Sequence, residues 1–155
     1  MSGQSRFTAA NVKILDGAAI VNMVPPKMSE TFQGYYENEF LAYVKEDLKH
    51  FKRIDIVFDK YLEHSLKKQA RDQRGLGERC QVTEKTKIPK DWYTFLRNNE
   101  NKTDLFKFLS KIVEEDTGDK QLYSTYGHNV LSSYTTEDFR PFLLAPCTHE
   151  EADTR

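Results

Sequence analysis

Apolar positions in the first sixty residues change their spacing twice, and each change marks an element. Val12, Ile14 and Leu15 form a short apolar run that ends on Asp16, and Ala18 to Val24 are apolar apart from Asn22 until Pro25-Pro26. This pattern predicts a strand from Val12, then an apolar stretch that begins a helix and is broken by the proline pair. Phe32, Tyr36, Phe40, Tyr43, Val44, Leu48 and Phe51 then recur at three- and four-residue steps. They predict a helix with one buried face, capped by Ser29 or Thr31 and running to about His50. Glu30 suits its positive end, and Lys45, Lys49 and Lys52 suit its negative end. Directly afterwards comes Arg53-Ile-Asp-Ile-Val-Phe-Asp59, a short β-branched run that predicts a buried strand of a parallel sheet. Strand, helix, strand is a βαβ unit, so Asp16 and Asp59 are expected at the same sheet edge, where open α/β sheets hold ligands.

The remainder is less regular. Residues 1–10 are small and polar and predict a frayed end. Tyr61 to Arg79 reads as a basic helix broken by Gly75 and Gly77, and residues 80–91 as loop, so 61–91 forms a basic insertion. Asp91 to Glu115 predicts an amphipathic helix interrupted near Asn98-Asn99, with Asn99 or Asn101 as a cap for the part carrying Leu105, Phe108, Leu109, Ile112 and Val113. Residues 116–120 read as a polar turn, Gln121 to Tyr126 as a strand, and Gly127 to Val130 as a turn. Thr136 to Leu144 fits no single pattern. The whole reads as one α/β domain over residues 11–155, with a mostly parallel central sheet flanked by helices.

Composition narrows the class. The chain has 155 residues, 38% hydrophobic and 30% charged, enough to bury a core without disulfides. With 23 basic and 24 acidic side chains its net charge is -1, so global charge does not mark a nucleic-acid binder. No apolar run approaches the roughly 20 residues of a membrane span, and the first residues lack a secretory pattern. Cys80 and Cys147 are the two cysteines. So few favour reduced thiols and an intracellular setting, nuclear or cytoplasmic.

Carboxylates carry the main chemical expectation. Asp16 and Asp59 end two strands, and Glu150, Glu151 and Asp153 lie near the C-terminus. Phosphodiester hydrolysis by two metals needs several convergent carboxylate oxygens that hold cations about 4 Å apart. Hard oxygen ligands select Mg2+ or Mn2+. If the last segment opens a helix, Glu150 and Asp153 share a face. Lys67, Lys68, Arg71, Arg74 and Arg79 follow Asp59 and suit nucleic-acid phosphates, although charged runs also serve simply as solvated faces. Other chemistries are poorly supported. Gly75-Leu-Gly77 lacks the spacing of a nucleotide-binding loop. His50, His64, His128 and His149 show no zinc-ligand spacing with the cysteines, and there is no serine elbow.

The order of these motifs resembles the PIN-like nuclease superfamily, and within it the flap-endonuclease branch. The residues that carry the likeness are Ile56-Val57-Phe58-Asp59, then Ser65-Leu66-Lys67-Lys68-Gln69-Ala70-Arg71, and later Glu150-Glu151-Ala152-Asp153. The chain is also similar, over residues 14–155, to a group of multi-copy animal proteins of no established activity. They share Leu-Asp-Gly-Ala-Ala-Ile-Val-Asn, Arg-Gly-Leu-Gly-Glu-Arg and His-Glu-Glu-Ala-Asp-Thr-Arg. The superfamily resemblance implies a magnesium-dependent nuclease with Asp16, Asp59, Glu151 and Asp153 catalytic, Glu150 a further metal ligand, and the basic stretch on nucleic acid. In that superfamily a further strand with an Asp-x-Asp pair follows, so the expectation for this chain is a domain truncated at the C-terminus. The alternatives are a non-catalytic nucleic-acid or protein interaction module, or a non-functional fragment of a multi-copy gene family.

Overall fold

The computed structural model describes residues 11–60 and 77–133. Strand β1 (Val12–Asp16) passes without a loop into helix α1 (Gly17–Met23). Asp16 makes this possible, because its side chain caps the helix it precedes. Gly17 lies against the Phe58 ring, where a Cβ would come within 2.2 Å of Cδ1. Pro25-Pro26 then ends the apolar stretch, as the sequence predicts.

The expected helix from Thr31 is built in three pieces: α2 (Phe32–Tyr35), a π-helical turn (Tyr36–Phe40) and α3 (Leu41–Leu48). Thr31, rather than Ser29, is the cap, accepting from Gly34 N at 3.2 Å. The π turn follows from the spacing. Phe32, Tyr36, Phe40, Val44 and Leu48 are all buried and stand four residues apart. At 3.6 residues per turn each such step drifts about 40° around the helix. One extra residue in a wide turn rotates the following face back by about 100°, so all five side chains reach the same core.

Strand β2 (Arg53–Val57) follows, then α4 (Trp92–Arg97), α5 (Asn99–Leu109), a 3-10 turn (Ser110–Glu114), β3 (Gln121–Tyr126) and β4 (Asn129–Ser132). The sheet order is β1-β2-β3-β4. The first two pairings are parallel and the last is antiparallel. The break between α4 and α5 lies where the sequence places it, but its cap is Asn98, which accepts from Glu100 N and Asn101 N. Strand β4 replaces the end of an expected turn. Gly127, at φ 58°, allows a two-residue connection, and Tyr126 pairs directly with Asn129. Residues 80–91 are non-helical, as expected, except for a turn and one bridge, but they are docked. Phe32 N donates to Thr86 O, Ile88 N donates to Glu30 O at 2.8 Å, and Thr31 bridges Lys87.

The chain is therefore α/β with a mostly parallel sheet. Leu15, Ile54, Ile56, Phe58 and Leu122 share one continuous core with the helices. Both parallel crossovers step the same way along the sheet, so right-handed connections carry helices to the same face. On the opposite face Val57 and Tyr123 are buried outside that core, and Arg53 lies over the Tyr123 ring while pairing with Asp55. The expectations for residues 1–10, for the basic helix from 61 to 76 and for 136–144 fall outside the described residues.

Candidate acidic edge of the sheet

The carboxyl ends of β1, β2 and β3 form one edge, because the three strands are parallel neighbours. Asp16 is the last residue of β1 and pairs in register with Val57. Asp59 stands two residues beyond Val57. This register sets both chain positions toward the same end of the sheet.

Asp16 is exposed, and Oδ1 accepts from Ala18 N at 2.9 Å and Ala19 N at 3.1 Å. Both bonds fall on one oxygen, so capping leaves Oδ2 for another partner. Asp59 is half-buried. Its approach is fixed by Thr125, a buried residue of β3. Phe58 N donates to Thr125 Oγ1 at 2.8 Å, and the same hydroxyl contacts Phe58 O at 3.3 Å. The ladder between β2 and β3 ends at Ile56 with Ser124, so Thr125 extends their contact toward Asp59. One residue further on, the Lys60 ammonium meets the His128 ring in the β3–β4 turn. Lys60, Thr125 and His128 are thus additional residues of the edge. Parallel pairing of β2 with β3 is the signal that assigns them there, since it sets the turn after β3 beside the segment after β2.

Arg79 has a different position from that expected of a phosphate contact. Its guanidinium donates to Asp104 at 2.6 Å and to Asn101 Oδ1 at 3.1 Å, and it pairs with Glu100 at 3.1 Å. The bond to Asp104 holds its pKa above the usual arginine value. Burial raises the pKa of the neighbouring Cys80 thiol, so this thiol is no activated nucleophile. Glu150, Glu151, Asp153, Lys67, Lys68, Arg71 and Arg74 lie outside the described residues. Among the described residues, no three His, Cys, Asp or Glu side chains converge as a metal site. Among the same residues, no helix is long and apolar enough to cross a membrane.

No protein-family model, curated protein or solved structure matches the chain.

Proposed function

We propose that this chain is a PIN-like α/β domain related to metal-dependent nucleases, whose divalent-cation site is built on Asp16 and Asp59. The observation that supports it most is that Asp16 ends β1 in register with Val57, the last residue of the adjacent parallel strand, and Asp59 follows Val57 by two residues. Mg2+ or Mn2+ is the matching cation, because carboxylate oxygen is its preferred ligand. Glu150, Glu151 and Asp153 would complete the set. A cation bound there would polarise a phosphodiester and lower the pKa of an attacking water. Lys60 stands on the same edge and would attract the phosphate, and Lys67, Lys68, Arg71 and Arg74 would hold the strand of nucleic acid.

The test is thermal unfolding of the full chain during Mg2+ and Mn2+ titration. Saturation to about 100 times Kd adds about 2.7 kcal/mol of stability. For a chain of this size that raises Tm by roughly 5–10 °C. The rise is expected to vanish in Asp16→Asn and in Asp59→Asn. An unchanged Tm with both ions would refute the cation site.

A second reading, a non-catalytic interaction module, is favoured by β1. This strand is the end of the sheet among the described residues, yet Ile14 is 69% and Val12 44% exposed. An apolar end strand is a template for pairing with a partner's strand. For nucleic acid, the same module predicts binding that weakens steeply with salt and needs no metal.

A further inference from the structure

The sequence contains one Asn-x-Ser/Thr triplet, Asn101-Lys102-Thr103. Such a triplet is the acceptor for N-linked glycan, and it ordinarily marks an exposed loop of a secreted chain. Here it lies in the first turn of α5 instead of in a loop, and the Asn101 side chain is 0% exposed. The acceptor atom itself is occupied. Nδ2 carries two hydrogens, and both are donated: one to Glu78 O at 2.9 Å, the other to Phe95 O at 3.1 Å. Oδ1 accepts from Cys80 N at 2.8 Å and from Arg79 Nη1 at 3.1 Å. The amide therefore cannot turn outward without releasing the 78–80 segment from α4 and α5. Thr103, by contrast, is exposed, and its hydroxyl donates to Asn99 O at 2.9 Å.

Glycan transfer joins Nδ2 to C1 of the first sugar of a lipid diphosphate-linked oligosaccharide. The N–C bond forms as the C1–O bond to the diphosphate breaks. The lipid diphosphate leaves, and one Nδ2 proton passes to a base of the transferase. The product amide keeps one N–H, so it can satisfy Glu78 O or Phe95 O but not both. The carbonyl left over loses its donor inside the protein. The sugar also leaves Nδ2 along the direction of the bond it replaces, where a carbonyl oxygen already stands at 2.9 or 3.1 Å. A close-packed interior has no space for it. N-glycans are added to chains as they enter the secretory compartment, before Asn101 is enclosed, so burial in the native state gives no protection there.

We propose that Asn101 makes this fold incompatible with N-glycosylation, so that the chain reaches its native state only in a compartment where that modification does not occur. A glycan on Asn101 keeps the 78–80 segment from docking on α4 and α5. The inference rests on neither carboxylate of the acidic edge and holds whether or not the chain cuts nucleic acid.

The test is expression of the full chain in animal cells, with and without a cleavable signal peptide, beside its Thr103→Ala and Thr103→Ser variants. Thr103→Ala removes the acceptor triplet but keeps Asn101 and its four bonds, and it puts a better helix former at an exposed position. Thr103→Ser keeps the triplet. Without the signal peptide all three chains should unfold cooperatively and resist protease. Behind it, the wild-type and Thr103→Ser chains should gain one endoglycosidase-sensitive glycan and lose both properties. Thr103→Ala should carry no glycan there and stay folded. A glycosylated chain that unfolds cooperatively at the Tm of the unmodified one overturns the proposal. So does a wild-type chain that passes through the secretory compartment unmodified and folded. Failure of Thr103→Ala to fold in that compartment also overturns it, because the triplet would then not be the barrier.

Discussion

Replacing Asn101 by alanine should be among the most damaging single changes outside the apolar core. The side chain is fully buried, with 0% exposure, in α5. Its Oδ1 accepts from Cys80 N at 2.8 Å and from Arg79 Nη1 at 3.1 Å. Its Nδ2 donates to Glu78 O at 2.9 Å and to Phe95 O at 3.1 Å. One residue thereby ties the 78–80 segment to both α4 and α5. Each such bond contributes about 1 kcal/mol net, and a buried group left without a partner costs about 1–3 kcal/mol. Glu78 and Arg79 are exposed, so water can reach part of the vacated set, which keeps the sum near the lower end. The expected loss is about 3–4 kcal/mol, or roughly 6–16 °C in Tm for a chain of this length. Thermal and urea unfolding monitored by far-UV circular dichroism measure it. Asn101→Asp should not rescue, because a carboxylate oxygen would face the Glu78 and Phe95 carbonyls. Arg79→Ala alone should cost under about 1 kcal/mol, as half-exposed ion pairs generally do. A drop of less than about 2 °C in Asn101→Ala would refute the idea that this side chain fastens the segment.

Three further outcomes are expected. Gly17→Ala forces a methyl into the Phe58 ring, which is stacked between Phe40 and Phe106 and cannot swing away, so it should cost about 1–3 kcal/mol in urea unfolding. Asp16→Ala should lose about 1 kcal/mol through the α1 cap while Asp16→Asn, an equally good cap, keeps that stability; comparing both variants with and without Mg2+ in a Tm assay separates capping from cation binding. Burial raises the phenol pKa of Tyr35, and burial with the bond to Glu115 raises that of Tyr36, both well above the ordinary value of 10.0. Their folded pKa values exceed the unfolded one, so the stability they contribute is complete below pH 10 and is lost as pH rises toward the folded values. Tyr35 and Tyr36 should therefore ionise only as the chain unfolds in an alkaline absorbance titration, and Tyr36→Phe should remove one of these two late ionisations.

How far these features can be read from sequence depends on how local their causes are. The β1, β2 and β3 strands follow from short apolar runs bounded by Asp16, Asp59 and Gly127, and each is visible in a window of a few residues. The helix from Thr31 is legible for the same reason, since Phe32 to Leu48 mark a buried face. Its π turn is implicit in the uniform four-residue step, but becomes apparent only when all five positions must meet one core. Strand β4 escapes notice because Asn129 to Ser132 carries only the adjacent apolar pair Val130-Leu131, without alternation, and owes its pairing to the turn at Gly127. Asn101 looks like a cap because asparagine favours caps. Its burial depends on the 78–80 backbone returning twenty residues away in sequence, which no local pattern contains. Likewise Lys60 and His128 belong together only once β2 and β3 are adjacent.

Asp16 shows why a structural role and a functional one need not compete at this edge. A carboxylate that ends a strand and begins a helix is held by two backbone N–H groups through Oδ1. That grip fixes the group and faces it to the positive end of α1, where a negative charge is favoured. A rigidly held carboxylate with a remaining oxygen is better organised for a cation than a freely rotating one, because less side-chain freedom is lost on binding. The Thr125 hydroxyl does comparable work beneath Asp59 by joining the ends of β2 and β3. Thr125→Val should therefore weaken any cation effect that depends on Asp59, while Thr125→Ser, which keeps the hydroxyl, should retain it. Equal cation responses in the two variants, with both folded, would mean that Asp59 is positioned by other contacts.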